Sequence, residues 1–476
     1  MIRSLILRFY NLKIEDIGVR ILYFFNTIDT YFLVAGLISF LWYMLYLCGV
    51  RDCRFWPIAV LTAIVWLVFK TADFYPPLVL MGPLYLFYLF KDKLVTWPEM
   101  CLLLGINILV FVTVQFVFMS IPESIAAGDP SIGFRKLFYS VFTIAPTTVS
   151  FSMSVYFSTL YTLVLVTRPQ PVPGGGLWFW VTFWMAALVT RLVKPRSFMS
   201  DNFRPNPGGK IAGRVLIINI DGCRLDRFYE AGMPFLTRLA ESGSSFPKGL
   251  QTVYRALTNP AFASILTGVP PEVHGIRNNN LGQKISVKAL PDLVGAKLYG
   301  SMHVRHFSRP EWNTKIVSLV KQGPDRADDV MFEWLREDLS NPDGTRLFIA
   351  DISETDFLGH AYGSESERYL QALLGADRRI EELFQWMEKE RMLDDTVVII
   401  CSDHGIVKID HSYMLFRAER YVPFIMTGPG IKRGFRLEYE ASIMDIAPTV
   451  CYLLGVPYPD TCRGRVFVEA LESWQE

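Results

Sequence analysis

Long apolar runs dominate the chain from its first residue to about residue 196. They fall at about residues 30–50, 55–70, 76–90, 100–119, 138–167 and 176–193, and are parted by short charged or Pro/Gly breaks such as Arg51-Asp52-Cys53-Arg54 and Lys91-Asp92-Lys93. An apolar helix of about 20 residues reaches across the hydrocarbon core of a bilayer, so the pattern predicts five or six transmembrane helices. The shorter runs, 55–70 and 76–90, need tilt or a re-entrant path. Buried helices of a soluble core would show polar faces at helical spacing, and Leu102 to Met119 offers almost none. Residues 1–29 set Arg3, Arg8, Lys13 and Arg20 among Leu, Ile, Phe and Tyr without a small-residue cleavage site, the pattern of an amphipathic helix lying in the membrane interface.

After Lys194 the pattern changes. Residues 197–212, with Pro205-Asn206-Pro207-Gly208-Gly209, read as a linker between a membrane domain (1–196) and a water-soluble domain (213–476). In the latter, β-branched runs at Arg214 to Ile220, Thr345 to Ala350 and Thr396 to Cys401 predict buried strands. Between the last two, Tyr369, Leu370, Leu373, Leu374, Ile380, Leu383 and Phe384 form an apolar stripe that predicts a helix over about 366–391. Strand, long helix, strand implies a parallel crossover. The fold class is therefore an α-helical membrane bundle joined to an α/β domain, whose mostly parallel central sheet is flanked by helices.

Charge sharpens the division. The chain carries 47 Lys+Arg and 46 Asp+Glu; residues 1–196 hold only 15 basic and 9 acidic side chains, and the rest hold 32 and 37. No basic surface for a nucleic-acid polymer is implied. The seven cysteines are scattered with no CxxC pair, so they imply neither a zinc ribbon nor a dense disulfide framework. All six histidines lie beyond residue 270, which directs the search for metal or acid–base chemistry to the α/β domain.

Each predicted strand runs toward an acidic residue: Ile220 into Asp221, Ala350 toward Asp356 with His360, and Cys401 into Ser402-Asp403-His404. The carboxyl ends of parallel strands gather on one edge, where open α/β sheets bind ligands. Three Asp and two His there suggest a site for divalent ions such as Zn2+. Thr258, two residues before Pro260, lies near a helix start, where backbone N–H groups favour phosphate or a developing alkoxide. An ordinary capping threonine fits that position equally well.

Taken together these segments resemble the alkaline phosphatase superfamily, and within it the type I phosphodiesterase/nucleotide pyrophosphatase branch. The resemblance covers about residues 213–470. It is carried by Ile220-Asp221-Gly222, Thr258-Asn259-Pro260 with Leu266-Thr267-Gly268, Pro271-Glu272-Val273-His274-Gly275, Asp356-Phe357-Leu358-Gly359-His360 and Ser402-Asp403-His404-Gly405. It implies two zinc ions, one held by Asp221, Thr258, Asp403 and His404, the other by Asp356, His360 and a further histidine. The branch supplies that histidine late in the chain, where this sequence has Asp460-Thr461-Cys462. His411, eight residues beyond Asp403, has the spacing of sulfatases and membrane phosphoethanolamine or glycerol-phosphate transferases, and takes the seventh place. Asn279 matches the asparagine that binds a phosphoryl oxygen, whereas His274 reads as a loop support and His303 and His306 as surface or substrate-region residues.

The implied function is a membrane-bound phosphodiesterase acting through Thr258 and a phosphothreonine intermediate, on a lipid-linked or nucleotide-like phosphodiester. A phosphotransferase that moves a phospho-head-group from a lipid to a lipid or glycan acceptor, and an inactive membrane scaffold, are the alternatives. No segment suited to conversion into formylglycine is present, which disfavours a sulfatase. Likeness to exported membrane transferases places the catalytic domain outside the cytoplasm.

Overall fold

Strands buried on both faces need side chains that are apolar without alternation, and the middle of the sheet is built from such runs. Strands β1 (Arg214–Ile220), β2 (Ser244–Ser245), β3 (Ala296–Gly300), β4 (Asn313–Ile316), β5 (Leu347–Ile352), β6 (Thr396–Cys401), β7 (Phe424–Thr427) and β8 (Phe435–Arg436) form one sheet in the order β8-β2-β7-β6-β1-β5-β3-β4. β1 is parallel to β5 and β6 on its two sides, with Ile217 opposite Ile349 and Ile399. Only β7 runs antiparallel to its neighbours, β6 and β2. This computed structural model describes residues 196–474, except 278, 280–283, 408–410, 412–413 and 415. The expected membrane spans and interfacial helix lie outside the described residues. Among the described residues no helix is long and apolar enough to cross a membrane.

The main helices are α1 (Pro234–Ser242), α2 (Thr258–Thr267), α3 (Met302–Phe307), α4 (Pro324–Ser340), α5 (Glu354–Tyr362), α6 (Glu367–Lys389) and α7 (Ile446–Leu454). Val215 and Ile217 of β1 pack with α2 and α7 residues such as Phe262, Ile265 and Val450, while Leu216 and Ile218 pack with Leu335 of α4 and Leu373 and Ile380 of α6. Burying each such Leu or Ile contributes roughly 1.5–3 kcal/mol, which fixes helices on both faces of the sheet. The N-terminus of α6 is capped by Ser366, whose hydroxyl accepts from Tyr369 N–H at 3.2 Å. A residue from a neighbouring helix caps α5. Asp328 of α4 accepts from Ser353 N–H at 2.9 Å and Glu354 N–H at 3.1 Å, and so aims the first turn of α5.

β1 and β6 have the boundaries that the sequence predicts. The predicted strand over 345–350 instead runs Leu347–Ile352 and so includes Asp351, which is buried. A polar side chain can occupy that buried position because Asn219 Nδ2 donates to Asp351 Oδ1 at 2.5 Å.

Residues 196–212, expected as a linker, contain no helix or strand but are bonded to the domain along their length. Ser197 Oγ accepts from Tyr254 N–H at 2.9 Å, Ser200 Oγ donates to Asp445 Oδ2 at 2.5 Å, Arg204 donates to Gly464 O at 2.8 Å, and Ile211 N–H donates to Leu453 O at 2.8 Å.

Candidate metal centre

Two turns at the carboxyl edge are tied to each other. Asp221 follows β1, and the chain then turns through Gly222, whose φ of +70° lies in the left-handed region. A Cβ at Gly222 would stand 2.8 Å from Asp356 Oδ1, so only glycine lets the two carboxylates' segments approach this closely. Tyr369, buried on α6, donates to Gly222 O at 2.7 Å and accepts from Arg224 N–H at 3.0 Å. Ser402, just after β6, accepts from Cys223 N–H at 3.0 Å and donates to His404 O at 2.9 Å. Asp356 and His360 lie one turn apart on α5, on the same face.

Side chains from these segments meet. His404 Nε2 lies 3.2 Å from Thr258 Oγ1, 3.4 Å from Asp403 Oδ2 and 3.5 Å from Asp221 Oδ1. His360 Nε2 lies 3.1 Å from His411 Nε2 and 3.5 Å from Asp356 Oδ2, and His411 Nε2 lies 3.7 Å from Asp356 Oδ1. The His404 and His411 rings stack with centroids 3.8 Å apart. The structure thus brings Asp221, Thr258, Asp356, His360, Asp403, His404 and His411 together. Donor atoms of Asp356, His360 and His411 fall within 4.8 Å of one another, and so do those of Asp221, Asp356 and His404. Asp356 therefore belongs to both groups, where the sequence reading gave it to one.

Imidazole orientation follows from backbone contacts. His411 Nδ1 donates to Ala256 O at 2.5 Å and His404 Nδ1 donates to Gly405 O at 3.2 Å, because a carbonyl can only accept. Each Nε2 then faces the cluster. Thr258 is the first residue of α2, while the capping position is Leu257, without a side-chain cap. Its hydroxyl turns to His404. Asn279 is exposed and accepts from Asn259 N–H through Oδ1 at 3.0 Å, so the donor end of its amide is the NH2.

The sequence matches the type I phosphodiesterase / nucleotide pyrophosphatase family over residues 215–292 and 293–455. The chain belongs to this family. An uncharacterized pyrophosphatase/phosphodiesterase of Schizosaccharomyces pombe is 26% identical over 232 residues, which are 42% of this chain and 46% of the relative. Human arylsulfatase K is 33% identical over 92 residues, 18% of this chain and 17% of the relative. The chain therefore spans less than half the length of these curated relatives. Among solved structures, murine ectonucleotide pyrophosphatase / phosphodiesterase 5 superimposes with a TM-score of 0.43 at 14% identity, covering 52% of this chain and 96% of that one.

In this phosphodiesterase-family domain the carboxylates are under electrostatic stress. Burial, reinforced by Asp403, Asp356 and Asp351, pushes Asp221 well above the usual carboxylate range. Burial likewise raises Asp403 to about 6, against the lowering effect of His404. His411 is held well below the ordinary histidine value by burial and by His404 and His360, so its imidazole is neutral. Asp221 Oδ1, Asp356 Oδ1 and Asp403 Oδ2 are buried with no hydrogen-bond partner among the described residues. Orphaned carboxylate oxygens beside imidazole nitrogens fit divalent cations, which would satisfy both.

Two further residues at this edge escaped the sequence reading. His303, read there as a surface or substrate-region residue, places Nε2 2.5 Å from Asp351 Oδ2. The signal that could have found Asp351, and Asn219 beside it, is a polar residue inside an otherwise apolar central strand. His274 is buried and lowered to about 3 by that burial. It accepts from Ile276 N–H through Nδ1 at 3.1 Å and bonds Ser264 Oγ through Nε2 at 2.9 Å, which makes it a loop support.

Proposed function

We propose that this chain is a metal-dependent phosphodiesterase that uses Thr258 as its nucleophile and passes through a phosphothreonine, acting at a membrane on a lipid-linked or nucleotide-like phosphodiester. The single observation that carries the reading is the Thr258 hydroxyl, 3.2 Å from His404 Nε2 at the start of a buried helix and beside the orphaned carboxylates. Asp221, Asp403, His404 and Thr258 would hold one divalent ion, and Asp356, His360 and His411 the other. When bound, such ions supply Lewis-acid stabilisation of negative oxygens and lower the pKa of a coordinated hydroxyl or water.

The chain's own residues divide the remaining work. Thr258 Oγ1 loses its proton and attacks phosphorus, the bond from phosphorus to the leaving oxygen breaks, and that oxygen leaves as the alcohol with the proton, so that Thr258 carries a phosphoryl group that keeps the substrate's other ester. Asn279 is held by Asn259 N–H so that its NH2 can donate to a nonbridging phosphoryl oxygen. The start of α2 adds its dipole to the same charge. Water then attacks the phosphothreonine and returns Thr258. An acceptor alcohol in place of water would give the phosphotransferase.

Affinity for a membrane substrate is supported by the apolar first 196 residues, and the catalytic domain is proposed to face away from the cytoplasm. The test compares the detergent-solubilised full chain with Thr258→Ala on a chromogenic phosphodiester and on labelled phospholipids, with divalent metal and after chelation. Metal-dependent turnover in the wild type, its loss in the variant and a threonine phosphoester that still carries the substrate's retained ester group in the mass spectrum are expected. The lipid product separates hydrolysis from transfer. Equal turnover by both proteins would sink the threonine mechanism, and a wild type that binds no metal and turns over none of these substrates would leave the scaffold.

A further inference from the structure

The segment that leads into the α/β domain is fastened first at the edge that carries Thr258. Ser197 Oγ accepts from Tyr254 N–H at 2.9 Å, four residues before Thr258, and Ser200 Oγ donates to Asp445 Oδ2 at 2.5 Å, just ahead of α7. From there the segment runs to the opposite edge, since Ile211 N–H donates to Leu453 O near the end of α7 and Gly213 immediately precedes β1. The apolar N-terminal part of the chain is therefore attached to this domain at its carboxyl edge.

Among the described residues the exposed large hydrophobic side chains are Met199, Phe203, Tyr229 and Phe416, and three of the four stand at that edge. Met199 lies between the Ser197 and Ser200 anchors. Tyr229 belongs to the short helix Leu225–Glu230 that follows Asp221, and its hydroxyl donates to Pro247 O just after β2. β2 is antiparallel to β7 and β7 to β6, so β2 ends at the carboxyl end of β6. Phe416 lies five residues beyond His411 and is followed by Arg417, exposed and stacked on the Tyr421 ring at 4.6 Å. Such groups scattered singly would need no explanation, but these share the edge that carries both the metal centre and the attachment of the apolar segment. Aromatic rings with an arginine beside them suit a lipid interface, the rings at the acyl boundary and the cation among phosphates.

We propose that the carboxyl edge docks on a lipid bilayer, with Met199, Tyr229 and Phe416 seated in the head-group layer and Thr258 turned toward the head groups. The proposal rests on the reading of residues 176–193 as a membrane span and of Thr258 as the nucleophile. Four residues of chain reach at most about 14 Å, so a span that ends at residue 193 holds Ser197 within that distance of the hydrocarbon. The substrate is then the phosphodiester of a lipid in the same membrane, attacked without leaving the bilayer, and a diester free in solution is the poorer substrate.

The full-length protein is reconstituted in nanodiscs of phosphatidylethanolamine and phosphatidylglycerol, with photoreactive benzoylphenylalanine replacing Tyr229, Phe416 or, as a control, Arg391. Arg391 is exposed and precedes β6, at the amino edge of the sheet. Irradiation is expected to attach lipid at Tyr229 and Phe416 roughly fivefold more than at Arg391, read by mass spectrometry of the peptides. Tyr229→Glu combined with Phe416→Glu is expected to lower the ratio of turnover on nanodisc phospholipid to turnover on the chromogenic diester about tenfold. Circular dichroism checks that the double variant folds, and Tyr229→Ser with Phe416→Ser replaces it if it does not. Equal lipid capture at all three positions, capture of protein in place of lipid, or an unchanged ratio overturns the docking. Turnover without lipid capture overturns it too and leaves the phosphodiesterase reading standing. Lipid capture at Tyr229 and Phe416 by a protein with no metal-dependent turnover supports the docking and overturns the phosphodiesterase reading.

Discussion

Asp445 and Asp403 are buried carboxyl groups that burial pushes up to about 6, and their surroundings differ. Around Asp445, Oδ2 accepts from Ser200 Oγ and Ser442 N–H, and Oδ1 accepts from Arg465 N–H. Around Asp403, Oδ2 has no hydrogen bond among the described residues, and Asp351 and Asp356 add charge of the same sign. Leaving a buried polar atom unpaired costs about 1–3 kcal/mol, more if it is charged, so the first arrangement stabilises the fold and the second is one that a bound cation would satisfy. Burial alone does not distinguish the two regions; satisfied or orphaned oxygens do.

Substitutions at these two positions should have opposite effects. The largest is expected from Asp403→Asn, which removes a ligand and should lower phosphodiester turnover by roughly 10³-fold, about 4 kcal/mol in the barrier. Steady-state kinetics checks this, and turnover within tenfold of wild type would mean that Asp403 is not part of the metal centre. Next comes Asp445→Ala, which strands two backbone N–H groups and a hydroxyl and should cost about 2–4 kcal/mol by denaturant unfolding while metal content stays unchanged. The third concerns protons. In the metal-free protein Asp403 holds a proton up to about pH 6, and a cation must displace it. Metal affinity should therefore fall by at least roughly tenfold per pH unit below 6, as calorimetric titration would show. The sign for stability is the reverse: the raised folded pKa makes the metal-free fold most stable below the unfolded value, and that stability is lost as pH rises through about 6. The smallest effect is again at Asp403→Asn, where removing a like charge should stabilise the metal-free protein by about 1 kcal/mol, read as a small rise in Tm. A fall comparable to that of Asp445→Ala would erase the contrast between the regions.

Much of the sheet was legible because its central strands are apolar on both faces. β1 and β6 begin and end where the β-branched runs do, whereas Ser244–Ser245 is too short and too polar to leave a pattern. Asp221, Asp403 and His404 could be picked out because they directly follow predicted strands. His411 sits in a loop with no periodic signal, and its place came from spacing and resemblance. The pairing of His303 with Asp351 could not be read locally, since the partners lie 48 positions apart and meet only once β3 and β5 are neighbours. The segment 196–212 misleads in another way: Pro and Gly describe its lack of helix or strand, but not the backbone and hydroxyl contacts that hold it.

That segment also determines how the domain would bear load. Tension applied at residue 196 would first strain Ser197 against Tyr254 and Ser200 against Asp445, and would reach β1 only after the bond from Ile211 to Leu453 had yielded. A fragment excised from residue 213 onward would forfeit those anchors and expose Asp445, whereas one beginning at residue 196 would keep them. The natural place to cut this protein for independent study is therefore ahead of Ser197, and Tyr254, four residues from Thr258, would be the first part of the active region to register a cut made too late.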